Sequence, residues 1–281
     1  MTEPRQHALP DGLPTLRIRD LSIEFQRRRG APLRMVDRVS IDIWPGEIVG
    51  VIGESGSGKT LTSLATLQML PNRAAIAEGT IHLDDIPLQD RSERDMRALR
   101  GDRIALIPQD AMQSLNPTMR IGRQVGEPLE LHSGLSSQRA RQTVRKLLEA
   151  VHIREPEKRV QEYPHQFSGG MQQRAMIAMG LALNPQLLIA DEPTTALDVT
   201  VQAQVLKLLR EIRDDKGASI MFITHDLGIV AELCDWVYVM RNGQIVENGP
   251  TRRLFMAPQA DYTRMLLDAT LSIHTKPGVA Q

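Results

Sequence analysis

The apolar run Ile48-Val49-Gly50-Val51-Ile52, followed at once by Gly53-Glu54-Ser55-Gly56-Ser57-Gly58-Lys59-Thr60, limits the fold more than any other stretch of the sequence. An uninterrupted apolar run of this length fits a parallel strand buried on both faces. The eight residues after it match the pattern G-x-x-x-x-G-K-[ST]. Glycines let backbone N–H groups turn inward around an anion with no side chain in the way. Thr60 to Leu70 reads as a helix stopped at Pro71, and its N-terminus adds partial positive charge. In such a loop Lys59 reaches the β- and γ-phosphates of a nucleotide and the Thr60 hydroxyl ligates Mg2+. A chance Gly-rich turn is the alternative, and it loses weight once a strand precedes the motif and a helix follows. The motif alone marks a P-loop nucleotide-binding protein, a class that includes kinases, GTPases, helicases and transport motors.

The rest of the pattern extends this unit into an alternating α/β chain. Buried-type strands are expected at Ile104 to Ile107, Leu187 to Ala190 and Ile220 to Thr224, with helical patterns between them. One such helix places Val201, Val205, Leu208, Leu209 and Ile212 on a single face. Strands alternating with helices predict a parallel sheet. Ahead of it, Leu16, Ile18, Leu21, Ile23 and Phe25, then Val39, Ile41 and Ile43, read as two strands of an antiparallel edge sheet. Residues 110–165 lack a strong strand run and hold a helix with Val144, Leu147, Leu148 and Val151 on one side, as an inserted helical subdomain would. Near the end, Asn242-Gly243 between Trp236–Met240 and Gln244–Glu247 is a hairpin signal. Residues 1–14, Pro-rich and polar, are expected to be flexible.

Composition narrows the class. The chain has 281 residues, 34 Lys plus Arg against 34 Asp plus Glu, and one cysteine. A zero charge balance gives no support for a nucleic-acid binder. Cys234 alone makes neither an internal disulfide nor a multi-thiolate site, and it reads as a small buried residue in a cytosolic chain. The longest apolar stretch, Ala175 to Leu183, is half of what a membrane span needs, and the first residues have no signal-peptide core. A role at a membrane therefore requires docking on a partner.

Leu187-Leu188-Ile189-Ala190-Asp191-Glu192 is an apolar strand ending in two carboxylates. Asp191 is placed to hold the Mg2+ shell, and Glu192 to orient or deprotonate an attacking water. A bland reading, acidic residues at a strand end, weakens beside a phosphate loop. Phe167-Ser168-Gly169-Gly170-Met171-Gln172 precedes a helical run from Gln173 to Leu183. Ser168 is a good N-cap, but the two glycines exceed what a cap needs and expose N–H groups at a helix N-terminus. At this point the sequence resembles an ATP-binding-cassette (ABC) ATPase, whose signature usually reads LSGGQ. Gln109 matches the family's Q-loop glutamine, Ala196-Leu197-Asp198 its D-loop and His225 its switch histidine. Phe25 stands where the family places an adenine-stacking aromatic, and plain core packing remains open for it. The resemblance covers about residues 16–269.

The resemblance implies a fold: α/β, a P-loop (RecA-like) parallel sheet core with an antiparallel β edge subdomain and an inserted helical subdomain. It places an ATPase domain at 15–249, the helical subdomain at about 110–165, and a tail at 250–281. It also implies a mechanism in which two cassettes meet head to tail and sandwich two ATP molecules. Ser168, Gly169, Gly170, Met171 and Gln172 would then contact ATP held by the partner, and Asp198 would sit in the D-loop. Catalytic roles fall to Glu192, His225, Gln109 and Lys59. Nucleotide contacts fall to Gly53, Glu54, Ser55, Gly56, Ser57, Gly58, Lys59, Thr60 and Phe25, and Mg2+ ligation to Thr60, Gln109 and Asp191. The stretch from about 109 to 130 would meet a permease.

Three stretches resemble the oligopeptide, dipeptide and nickel importers more narrowly: Gln113-Ser114-Leu115-Asn116-Pro117, Tyr163 to Met171, and Ala190 to Gln202. The tail Asp261-Tyr262-Thr263-Arg264-Met265-Leu266-Leu267 is similar to theirs as well. The resemblance implies a second ATPase chain, two permeases and an extracytoplasmic binding protein, at the cytoplasmic face of a bacterial inner membrane. Many peptide importers carry a longer cysteine-bearing C-terminal extension, so no iron–sulfur cluster is expected here, and a nickel or metallophore cargo stays open. Pro108 departs from the aromatic or apolar residue expected before Gln109. A non-transport ABC ATPase, a subunit with a dead site and a metabolic kinase are the remaining alternatives. The last two are disfavoured by Glu192, His225 and Ser168-Gly169-Gly170.

Overall fold

The computed structural model describes residues 12–274 apart from 29 and 196. The expected D-loop residue Ala196, most of the expected flexible N-terminus and the end of the tail lie outside the described residues. The chain forms two compact units, one of residues 1–90 with 222–281 and one of residues 91–221.

In chain order the first unit begins with β1 (Leu16–Phe25), β2 (Leu33–Ile43), β3 (Ile48–Ile52), α1 (Lys59–Thr66), β4 (Ala74–Leu83) and β5 (Ile86–Pro87). The second holds α2 (Glu93–Leu99), β6 (Ile104–Ile107), α3 (Ala111–Ser114), α4 (Ile121–Ser133), α5 (Ser137–Ala150), α6 (Pro156–Arg159), α7 (Gly169–Gly180), β7 (Leu187–Asp191) and α8 (Val199–Lys216). Then β8 (Ser219–Thr224) leads the chain back into the first unit, which closes with α9 (Leu227–Leu233), β9 (Trp236–Arg241), β10 (Gln244–Pro250), α10 (Thr251–Met256) and α11 (Asp261–His274).

In the first unit, β2-β1-β4-β5 form an antiparallel sheet. Apolar residues face one another across β1 and β2: Leu16 with Ile43, Ile18 with Ile41, Leu21 with Val39, Ile23 with Val36. All eight are buried. The three-residue step from Ile18 to Leu21, which breaks strict alternation in the sequence, is a register shift beside Asp20, where φ is 46°. Such a bulge inserts one residue and restores the buried face afterwards. β3 is buried at every position and pairs in parallel with β9, Val49 opposite Trp236 and Ile52 opposite Val239. β9 returns into β10 through Asn242 (φ 49°) and Gly243 (φ 79°). Positive φ at both central residues is the type I′ hairpin geometry that Asn-Gly favours.

One expectation needs correction. The helix after the phosphate loop ends at Thr66 and does not run to Leu70. Gln68 takes φ 50°, its N–H donates to the Ala65 carbonyl, and the Met69 N–H reaches back to the Leu64 carbonyl. That pair of bonds is a Schellman stop. It usually announces itself with glycine, and here a glutamine adopts the left-handed conformation.

In the second unit β6 and β7 pair in parallel, Ile104 with Leu187 and Ile107 with Ala190. The parallel α/β pattern read from the sequence is thus present in each unit. α4, α5 and α7 pack against one another. Val125 and Leu129 on α4, and Val144 and Leu148 on α5, with Val151 just after it, are buried. Of these helices, α4 and α5 fall within residues 110–165, and α7 follows at Gly169–Gly180. On α8, Val205, Leu208, Leu209 and Ile212 are buried, while Val201, read on the same face, is half-buried.

Candidate functional site

The phosphate loop is shaped by glycines that no other residue replaces cheaply. Gly53 sits at φ 148° and Gly58 at φ 106°. A Cβ on Gly53 would lie 2.1 Å from the Met240 carbonyl oxygen, inside any permitted contact. The loop is tied to its surroundings by the Gly243 N–H, which donates to the Ser57 carbonyl at 3.0 Å. A second tie is the Glu54 N–H, which donates to the Tyr262 hydroxyl at 3.2 Å. Gly53, Ser57, Gly58 and Lys59 are buried, whereas Glu54, Ser55, Gly56 and Thr60 are exposed.

Lys59 is only 5% exposed, and its ammonium donates to the carbonyls of Gly53 (2.8 Å) and Glu54 (2.9 Å). Charge-assisted bonds to phosphate oxygens are stronger than bonds to neutral carbonyls, so the ammonium is held where an anion can draw it away. The Ser57 hydroxyl is buried without a hydrogen-bond partner. A buried orphan hydroxyl inside a loop of inward-turning backbone suits a ligand oxygen. Thr60, exposed at the start of α1, leaves its hydroxyl open to a hard cation.

In the same unit, Phe25 closes β1 half-buried, beside Gln26, whose N–H donates to the Arg73 carbonyl. Both readings of Phe25 fit this position. His225 is exposed directly after β8. The corner behind it is fixed: the Asp226 N–H donates to the Thr224 hydroxyl, and the Asp226 carboxylate caps α9 by accepting from the Gly228 and Ile229 N–H groups.

The second unit places the carboxylates at the end of a fully buried strand. Asp191 is 5% exposed. Glu192 follows at φ 47°, left-handed backbone that a non-glycine residue rarely adopts. One Glu192 carboxylate oxygen accepts from the Gln109 side-chain amide at 3.1 Å and from the Thr195 hydroxyl at 3.0 Å. The pairing of β6 with β7 explains the first bond: Ile107 faces Ala190, so two residues on from each brings Gln109 and Glu192 to the same strand ends. Since Gln109 donates through its nitrogen, its carbonyl oxygen remains available as a ligand. Thr195 was not anticipated. A hydroxyl three residues after the carboxylate, in a turn, was the signal available.

Ser168 caps α7, its hydroxyl accepting from the Met171 N–H at 3.3 Å. Gly169 is exposed with open space around it. Gly170 is buried, and a Cβ there would stand 2.5 Å from Val201 Cγ1. Gly170 therefore lets α7 approach α8 closely, a packing reason the sequence did not disclose. Met171 is half-exposed. Gln172 is buried, and its amide donates to the carbonyls of Pro164 (2.8 Å) and Phe167 (3.3 Å), bracing the 3-10 turn before the helix. Asp198 is exposed and caps α8 by accepting from the Val201 N–H at 3.0 Å. Among the described residues, no helix is long and apolar enough to cross a membrane.

Comparison with known proteins places these features in a family. A family model described as ABC transporter matches residues 36–195. The chain is 52% identical over 257 residues to the peptidoglycan transport ATP-binding protein YejF of Agrobacterium fabrum, covering 91% of this chain and 47% of that one. It thus spans about half the length of that relative. It is 45% identical over 266 residues to a probable peptide ABC transporter ATP-binding protein of Sinorhizobium fredii, covering 94% of this chain and 79% of the other. Among solved structures, a dimeric bacterial ABC transporter cassette superposes with a TM-score of 0.75 at 25% identity, covering 84% of this chain and 99% of its own. With the family model spanning more than half of its length and close identity to relatives along nearly all of it, the chain belongs to the ABC transporter family.

Proposed function

We propose that this chain hydrolyses ATP to drive an ABC importer for peptides or peptide-like solutes, through permeases carried on other chains. The observation that carries the reading is the Glu192 carboxylate, held at the end of β7 by Gln109 and Thr195, one residue after the buried Asp191. A carboxylate fixed in this way is suited to orient a water and accept its proton. A chain kept only as a binding subunit has no need to hold that side chain in a strained backbone position.

The roles follow from the groups. The loop from Gly53 to Thr60 binds the phosphates through its N–H groups, and Lys59 transfers its ammonium from the two carbonyls to the β- and γ-phosphate oxygens. Thr60, Gln109 and Asp191 are the residues that would hold Mg2+, which would supply neutralisation of the phosphate charge when bound. Glu192 orients the attacking water and His225 the γ-phosphate. Phe25 stacks on the adenine. Ser168 and its neighbours at the start of α7 serve a nucleotide bound by a partner cassette, with Asp198 in the D-loop opposite. That partner, two permeases and an extracytoplasmic binding protein complete the assembly at the cytoplasmic face of the membrane. The relatives' peptide-class names favour a peptide-class cargo over nickel.

The test begins with a fluorescent ATP analogue and a phosphate-release assay on the purified chain and on its Lys59→Ala variant. The reading predicts micromolar binding by the wild type and its loss in the variant. Unchanged binding by Lys59→Ala overturns it. Cargo is tested by uptake of labelled peptides and nickel chelates in cells lacking the chain, with loss of peptide uptake expected.

A further inference from the structure

The tail stretch around Tyr262 is a sequence feature that the proposed mechanism leaves unused. Tyr262 lies in the first turn of α11 and is 5% exposed. Its hydroxyl accepts from the N–H of Glu54, the second residue of the phosphate loop. The peptide unit to which that N–H belongs has the Gly53 carbonyl as its other end, and this carbonyl accepts from the Lys59 ammonium at 2.8 Å. The Gly53–Glu54 peptide is therefore pinned on one side by Lys59 and on the other by Tyr262.

The tyrosine is itself held from two directions. The Arg241 guanidinium stands 4.6 Å over the centre of its ring, a cation–π contact. The start of α11 is fixed by the buried Glu247 carboxylate, which accepts from the Gln259 N–H at 2.8 Å and the Ala260 N–H at 2.9 Å. Burial also raises the phenol's ionisation above its ordinary range, so the hydroxyl stays protonated.

We propose that Tyr262 is a positioning residue for ATP binding, through which α11 sets the first turn of the phosphate loop. The inference rests on the nucleotide-binding reading above. When Lys59 leaves the Gly53 and Glu54 carbonyls for a phosphate, one of the two restraints on that peptide is removed. The Tyr262 hydroxyl is the restraint that stays, and it keeps the Gly53–Glu54 peptide from rotating while the cradle is loaded. Because coupling is reciprocal, a loaded loop also steadies α11.

The test uses the purified full chain and its Tyr262→Phe variant, which keeps the ring and its contact with Arg241 and removes only the hydroxyl. The expected result is nucleotide binding weakened about fivefold, the scale of one lost hydrogen bond. The melting temperature of the nucleotide-free chain should stay close to wild type, and turnover at saturating ATP should be unchanged. Amide hydrogen exchange supplies a second readout: the Glu54 N–H should exchange faster in Tyr262→Phe, with or without nucleotide. Equal affinity in the two proteins overturns the proposal. So does a Tyr262→Phe chain that melts as low as Tyr262→Ala, since the residue is then a packing residue alone. If the wild type binds no nucleotide, the function reading fails, while a protected Glu54 N–H that Tyr262→Phe releases still establishes the brace.

Discussion

Single positions divide into those where geometry forbids a substitution and those where chemistry does. Gly170 belongs to the first kind, because its absent side chain leaves room for Val201. Gly170→Ala should destabilise the chain by about 1–3 kcal/mol through overpacking. Adding Val201→Ala should recover most of that loss, measured by denaturant unfolding. Failure of the double variant to recover would show that Val201 is not the obstacle. Cys234 is a bland residue and behaves as one: it is buried, and burial pushes its thiol up from the ordinary range. A thiol reagent at neutral pH should label it only as fast as the chain opens. The sign of the pH effect follows. An acid kept neutral by the fold contributes stability that is intact below the unfolded thiol's pKa of about 8.5 and is lost as pH rises above it. At Glu192 the sequence carries the chemistry and not the geometry: its place after a buried strand suggests the role proposed for it, whereas its left-handed backbone and its Thr195 partner depend on how the following turn closes.

Elements were legible where periodicity and punctuation agreed. β3 and the centres of β7 and β8 are apolar runs, and each strand is buried throughout. The Asn242-Gly243 hairpin carries its turn chemistry in two letters. The end of α1 does not, since Gln68 takes the place of the glycine that usually marks such a stop. Gln68→Gly relieves the steric cost of that backbone but loses the side-chain amide's hydrogen bond to the Leu88 carbonyl, so the two effects should nearly cancel and stability should change by less than about 1 kcal/mol. Gln68→Val keeps neither the bond nor a side chain tolerant of that backbone, and its melting temperature should fall well below that of Gln68→Gly; equal melting of the two variants would contradict the Schellman assignment. The start of α11 was hidden for another reason. Its cap is Glu247, which lies 12 residues before Gln259 and reaches it only through the β10 fold. Glu247→Ala leaves two N–H groups unsatisfied and should cost about 1 kcal/mol. Hydrogen exchange should rise at Gln259 and Ala260 first. The packing of α7 on α8 through Gly170 was equally invisible, because closeness between helices depends on a partner sequence cannot supply.

At the scale of the whole molecule, the chain reads as half of a machine. Its phosphate loop and its Ser168 turn are both well formed, yet the proposed mechanism assigns them to different nucleotides. Ser168→Arg should therefore leave ATP binding at this chain's own loop intact while abolishing turnover at the partner's. Loss of the chain's own binding in that variant would argue against the division of labour. If Glu192 serves hydrolysis at a site that binds ATP without it, binding and turnover separate in a single variant. The most direct measurement is phosphate release by the assembled transporter carrying Glu192→Gln, with nucleotide binding followed in parallel. Binding should stay within about threefold of wild type while release falls by a factor on the order of a hundred or more, as expected for loss of a group acting only in the transition state. Undiminished phosphate release from Glu192→Gln would rule out a catalytic role for Glu192.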